Sequence, residues 1–183
     1  MALWIFLFIL AGLGALAVWL FNRLVAARQM AENGWSDIDV QLRRRADLIP
    51  QLVATVKGVA AHERALFAEV TEQRAKALSA GNDLPARADA EKQLARGEAR
   101  LFAIAEDYPD LRASENFLEL QHELSETEEK IEMARRFYNG ATREYNTKAE
   151  TFPGSLIAGI FGFSRRDYFE TDVTGLPDVE FGT

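Results

Sequence analysis

The sequence predicts an all-α protein: an N-terminal transmembrane helix followed by an antiparallel bundle of about four long helices. Three observations carry this. Ala2 to Phe21 contains no charged side chain. Most of the remaining chain repeats apolar residues in steps of three and four, the period of one helix face. No stretch alternates apolar and polar residues as a half-buried strand does, and no internal repeat is evident.

The apolar run comes first. Twenty residues at about 1.5 Å rise give about 30 Å of helix, the thickness of a bilayer's hydrocarbon core. Trp4 and Trp19 stand near its ends, about 22 Å apart, where amphipathic rings favour the headgroup level. Its Leu, Ile, Phe and Val residues each favour insertion by about 0.3–0.6 kcal/mol. Bulky Trp19-Leu20-Phe21 stands where a cleaved signal would carry small residues, so the run reads as an anchor spanning residues 1–22. Ala11 and Ala15, beside Gly12 and Gly14, form a small-xxx-small surface that lets membrane helices approach closely. The basic residues Arg23, Arg28, Arg43, Arg44 and Arg45 all lie C-terminal to the run. By the positive-inside rule the N-terminus is expected outside and the remainder in the cytoplasm.

The helical region is expected over residues 23–151. Its first seam is Leu24, Ala27, Ala31, Trp35, Ile38 and Leu42. It could continue the membrane helix as a stalk or follow a kink near Asn22. Pro50 lacks an amide hydrogen and Asp47 can cap a new helix, so a kink or tight turn is expected at residues 44–50. Ile49, Leu52, Val56, Val59, Leu66 and Val70 continue the pattern. Residues 79–85 (SAGNDLP) read as a loop. Ala90, Leu94, Leu101, Ile104 and Tyr108 mark a third helix, closed by the turn Asp107–Asp110. The last helix repeats without a slip: Phe117, Leu120, Leu124, Thr127, Ile131, Ala134, Tyr138, Ala141 and Tyr145. These are coiled-coil-like seams, and short connections favour antiparallel neighbours.

Residues 152–183 change character. Phe152-Pro153-Gly154 stops the helix. Leu156, Ile157, Ile160, Phe161 and Phe163 then crowd a glycine-punctuated stretch ending at Arg165 and Arg166, too short to span a bilayer. It can fold over the bundle, dock on a neighbouring subunit, or lie at the membrane surface with its arginines at phosphate level. Thr171 to Thr183 reads as a loose acidic tail.

Charge is uneven within a formal net of −7. Residues 22–80 carry nine Lys/Arg against seven Asp/Glu, and residues 81–183 twelve against twenty-one. A basic membrane-proximal part suits anionic lipid, and the overall acidity argues against nucleic-acid binding. Candidates for chemistry are few. With two histidines and no cysteine, zinc has no obvious ligands. Glu119-Leu120-Gln121-His122 meets the Glu-x-x-His spacing of di-iron bundles once, without a second copy. No phosphate loop or nucleophile elbow appears. Asp39 and Arg43, four apart, can pair along one helix. Tyr138 and Tyr145 need hydroxyl partners if buried, with Asn139, Asn146, Arg135 and Arg143 as candidates. No cofactor and no small-molecule substrate is expected.

Several segments resemble the LemA family. They are Trp35 to Pro50 (WSDIDVQLRRRADLIP), Val53 to Glu63 (VATVKGVAAHE), Ala105 to Leu111 (AEDYPDL), Leu120 to Asn139 (LQHELSETEEKIEMARRFYN), and Tyr145-Asn146 leading to Thr151-Phe152-Pro153. The resemblance covers residues 22–170. Gly34 and Ala46 depart from it, standing where a more helix-favouring and an aromatic residue are expected. It implies a bacterial inner-membrane protein with one N-terminal span, an outside N-terminus and an antiparallel bundle. It supplies no catalytic residues, so no enzyme activity is expected. Relatives include a magnetosome protein linked to membrane formation, and family genes often neighbour a membrane-protease gene. The expected function is a homo-oligomeric scaffold that organises membrane or neighbouring proteins. The alternative is a monomeric adaptor recruiting a partner such as a membrane protease.

Overall fold

The computed structural model describes residues 1–170. Six helices follow one another: α1 (Ala2–Lys57), α2 (Arg64–Ser79), α3 (Leu84–Glu106), α4 (Pro109–Arg112), α5 (Glu115–Glu150) and α6 (Gly154–Phe161). No strand occurs among the described residues.

α1 is a single 56-residue helix. It passes Asn22 without interruption, so the apolar segment and the first bundle helix are one helix, about 84 Å long at 1.5 Å per residue. Its N-terminal part is the one helix among the described residues that is long and apolar enough to cross a membrane, and none of that apolar window is buried. From Leu24 the buried residues of α1 recur in steps of three and four through Ala31, Ile38, Leu42, Arg45, Ile49 and Leu52 to Val56.

No turn interrupts the helix at residues 44–50, and the reason is tertiary. Pro50 cannot donate to the carbonyl of Ala46 one turn back. Arg74 of α2 does so instead, its Nε lying 2.5 Å from that oxygen. The orphaned acceptor is satisfied and the helix runs on to Lys57, where Gly58 begins the turn into α2. Val59 falls in that turn and is exposed rather than on the seam.

α5 packs antiparallel along α1, with Tyr138 beside Gly34 and Ala149 in the same cluster as Leu24. Every expected seam residue of α5 is buried except Ala134, which is half-buried. Gly34 explains its own departure from the family pattern: a Cβ there would come within 3.0 Å of both the Tyr138 backbone and the Phe137 ring. The missing side chain brings the two helices close.

α2 and α3 form a hairpin on the distal half of α1. Asp83 caps α3 by accepting from the amide of Ala86. Trp35 Nε1 of α1 donates to Asn82 Oδ1 in the loop before it. The core is layered along the rod. A distal cluster joins Ile49, Leu52 and Val56 to Val70, Leu94 and Leu101. A middle cluster joins Ile38 and Leu42 to Ile131, Tyr138 and Phe169. A proximal cluster joins Leu24 to Ala149, Ile157 and Ala158.

Candidate functional site

Two assemblies of side chains stand out: a ladder that fixes the C-terminal strap near the apolar end, and a buried ion-pair network in the middle of the bundle.

The strap begins where α5 ends. α6 turns back across that end at Gly154, where a Cβ would lie 2.1 Å from the carbonyl oxygen of Lys148, so only glycine fits. α6, through Ile157 and Ala158, and Phe163 just after it rest on Ala17, Leu20, Phe21 and Leu24 of α1. Phe21 meets Phe161 and Phe163 edge-on, with centroids 4.9 and 5.6 Å away. After Gly162 caps the helix, residues 163–170 run back along α5. Asn146 Nδ2 donates to the carbonyl of Arg166, and its Oδ1 accepts from the Arg166 amide, both at 2.9 Å. Asn139 treats Phe169 the same way, at 3.1 and 2.9 Å. Seven helical residues rise about 10.5 Å, and three strap residues cover that distance only when extended. The buried hydroxyls of Tyr138 and Tyr145 donate to the carbonyls of Asp167 and Ser164. The tyrosine partners are therefore strap carbonyls, not the side chains expected from α5. Burial pushes the Tyr145 phenol up. Arg166 also reaches Glu32 of α1 at 2.9 Å, and together with Arg28 it holds that carboxyl below its usual range.

The network lies on the seams themselves. Arg45, 4% exposed, donates from Nη2 to Glu91 Oε2 at 2.8 Å and from Nη1 to Glu128 Oε2 at 2.6 Å. Arg87 donates from Nε to Glu91 Oε1 at 2.9 Å and faces Asp39 at 3.4 Å. Asp39 pairs with Arg43 at 2.8 Å, as the spacing predicts. One connected chain of charge thus ties α1, α3 and α5 together. Burial opposes the charge on Arg45, yet the carboxylates of Glu91, Glu128 and Glu98 outweigh it and hold the guanidinium protonated. Beside the network is a cleft of about 330 Å³, floored by Leu42 and Arg45, with Lys92, Arg96 and Arg135 among its lining residues.

Half-buried Glu98 completes this group. Burial pushes its carboxyl up to about 7; Glu128 and Glu91 add to the shift and Arg45 opposes it. A carboxyl raised in the folded chain holds its proton more tightly there than in the unfolded chain. Its stabilising contribution is complete below about pH 4.5 and is lost as pH rises through about 7. Glu98→Gln is expected to stabilise the protein at about pH 8 by on the order of 1–3 kcal/mol and to change little near pH 4. Thermal melts of both proteins at the two pH values check this; a gain confined to acid pH would contradict it.

The sequence-selected residues divide clearly. Trp4, Ala11, Gly12 and Ala15 are exposed on the first turns of α1, with nothing within 4 Å of a Cβ on Gly12. Trp19 is exposed beneath the Arg23 guanidinium, 5.0 Å from the ring centroid. Arg28 is exposed and bonds Glu32 at 2.9 Å. Arg43, Arg44 and Arg45 lie farther along the same unbroken helix, about 33–36 Å beyond Phe21, several screening lengths away, and Arg45 is inside the bundle. Ile157 packs on α1, Phe161 meets Phe21 while staying largely exposed, and Leu156 and Ile160 face outward. Arg165 is exposed near Glu150. His122 is exposed, and among the described residues no His, Asp and Glu group is arranged to hold a metal ion. The expected loose tail lies outside the described residues. Arg87, Glu91 and Glu98 were missed as a set, although they share the 3–4 step with Leu94, Leu101 and Ala105.

The sequence profile described as the LemA family matches residues 34–181, most of the chain. The chain belongs to the LemA family. Among similar proteins, Magnetosome protein MamQ 2 of Paramagnetospirillum magneticum (strain ATCC 700264 / AMB-1) is 24% identical over 180 residues, covering 85% of this chain and 66% of its own. Magnetosome protein MamQ of Magnetospirillum gryphiswaldense (strain DSM 6361 / JCM 21280 / NBRC 15271 / MSR-1) matches with the same identity and coverage. Protein LemA of Metamycoplasma hominis (strain ATCC 23114 / DSM 25592 / NBRC 14850 / NCTC 10111 / PG21) is 26% identical over 137 residues, 75% of this chain and 63% of that one. The match thus spans just under two thirds of each of these relatives. The LemA-family profile takes in the ion network and the strap ladder, while the apolar turns before Gly34 lie outside it.

Proposed function

We propose that this LemA-family chain is a membrane-anchored, non-catalytic scaffold of the bacterial inner membrane that acts as a homo-oligomer. The observation that carries the reading is α1, one uninterrupted helix shared by an exposed apolar segment and the bundle core. A rod of this kind transmits any association of spans directly to the bundles. Ala11 and Ala15 offer the spans a close-packing surface. The buried side chains that could carry chemistry are instead paired with one another as a brace. Two MamQ relatives carry magnetosome names, which supports a role in a larger assembly. The arginines that follow Phe21 support a cytoplasmic bundle. Ser79→Cys in this cysteine-free chain should resist impermeant thiol reagents in intact cells; ready labelling would reverse the topology.

The deciding experiment is the native mass of the full-length protein in mild detergent, beside Ala11→Leu/Ala15→Leu. A defined oligomer that falls to a smaller species in the variant supports the scaffold. A full-length monomer would replace it with the adaptor reading, in which the bundle recruits a different membrane or cytoplasmic protein.

A further inference from the structure

We infer that α6 and the turn before it form a wedge seated in the lipid headgroup–acyl boundary, occupied by bilayer lipid rather than by a second subunit. This rests on the membrane-anchor part of the reading above and is independent of oligomerisation.

Position comes first. α6 packs on Ala17, Leu20, Phe21 and Leu24, the end of the charge-free run. If residues 2–21 cross the hydrocarbon, Ala17 to Phe21 occupy its last 6 Å or so. Whatever packs on them lies at the interface, within the depth of about 5–10 Å that interfacial helices reach. The chain here is suited to that place. Residues 151–164 carry no charge, and they are bracketed by Lys148 and Glu150 on one side and Arg165 and Arg166 on the other. Such a segment can dip from water toward hydrocarbon and return.

Orientation is the second argument. α6 spends Ile157 and Ala158 on α1 and turns Leu156 and Ile160, one helical turn apart, outward. Ile160 is 74% exposed, Phe161 59% and Phe152 80%. Other large exposed apolar residues of the bundle, such as Val40, Leu78 and Leu118, are scattered along it. The α6 face instead continues the exposed apolar surface of α1 itself. Its cationic border is also in place: Arg23, two residues beyond Phe21, lies over Trp19, and Arg165 follows the strap's exit from α6. Both sit where lipid phosphates would meet them. A wedge beside the span fixes how the rod leaves the membrane.

The absence of native cysteine makes the test direct. Full-length Leu13→Cys, Leu156→Cys, Ile160→Cys and Leu118→Cys are spin-labelled in vesicles of phosphatidylethanolamine with a minority of phosphatidylglycerol. Collision with oxygen, enriched in lipid, is compared with collision with a water-soluble nickel chelate. Circular dichroism verifies unchanged helix content, and the two α6 positions back each other up. The expected result is an oxygen-to-nickel ratio at residues 156 and 160 several-fold above that at 118, approaching the ratio at 13. Ratios at 156 and 160 equal to that at 118, with 13 in lipid, would overturn the wedge and leave the anchor standing. Protection of 156 and 160 from both reagents would overturn it in favour of a second copy. A water-exposed residue 13 would remove the anchor and the wedge together.

Discussion

Arg45→Ala is expected to lower the stability of the folded chain by about 3–5 kcal/mol, the cost of breaking a buried ion pair by removing one partner. From the α1 seam, the guanidinium bonds both Glu91 of α3 and Glu128 of α5. Its removal leaves the Glu91 carboxylate, 2% exposed, dependent on Arg87 and facing a cavity. Glu128 is mostly exposed and regains water, so the penalty falls on the α1–α3 contact. The α2–α3 hairpin should therefore loosen before the α1–α5 pair does, and hydrogen exchange should accelerate first in Leu94 to Ala105. Arg43→Ala provides the control. It removes an ion pair of similar length from a mostly exposed side chain, worth about 0–1 kcal/mol. Chemical denaturation of the three proteins in one detergent tests the contrast. Equal losses for the two variants would show that the buried network contributes no more than the surface pair.

Most of this architecture can be read in the sequence because its helices obey one period. The α5 seam from Phe117 to Tyr145 matches the buried residues almost position for position, since a long helix packed on one partner repeats that partner's demand every turn. The end of α1 cannot be read the same way. Pro50 is a local signal for a break, and it is overruled by Arg74, which lies far along the chain and donates to the carbonyl that Pro50 leaves open. Local chemistry places the turn eight or more residues too early because the compensating group is non-local.

The functional groups divide along the same line. Arg45, Arg87, Glu91 and Glu98 sit on the 3–4 step of their helices, so charged residues in an apolar seam were visible; which carboxylate meets which guanidinium depends on how three helices face one another. Arg45, read in the sequence together with Arg23, stands apart from it in the fold: one continuous helix converts twenty-two residues into about 33 Å, and Arg45 turns into the bundle. The Tyr-Asn pairs at 138–139 and 145–146 repeat at seven residues and mark one face. Their partners are backbone groups of the strap, which carry no sequence signature. For α6, an eight-residue helix is too short for periodicity to tell Ile157 from Leu156 until the surface of α1 is known.

That strap yields the second large effect. Asn146→Ala is expected to destabilise the strap by roughly 2–4 kcal/mol, since it strands both the amide and the carbonyl of Arg166, at about 1–3 kcal/mol for each group left without a partner. The loss should be local. The strap contributes Phe169 to the middle cluster and α6 to the proximal one, whereas the distal core of α1, α2 and α3 makes no use of it. Segments of this kind open without global unfolding. Trypsin provides the readout because the exposed Arg165 and the partly exposed Arg166 lie in the strap itself. In the parent chain the ladder holds this backbone against α5, and cleavage there should be slow. In Asn146→Ala it should accelerate by about one and a half to three orders of magnitude at unchanged helix content, at roughly 1.4 kcal/mol per tenfold change. Asn146→Asp separates the two bonds: it keeps the acceptor for the Arg166 amide and loses the donor to its carbonyl, so its cleavage rate should fall between the two. A rate in Asn146→Ala indistinguishable from the parent's would mean that Phe169, Asn139 and the two tyrosines hold the strap without this rung. The Asn146 pair would then set the direction of the strap without adding to its hold.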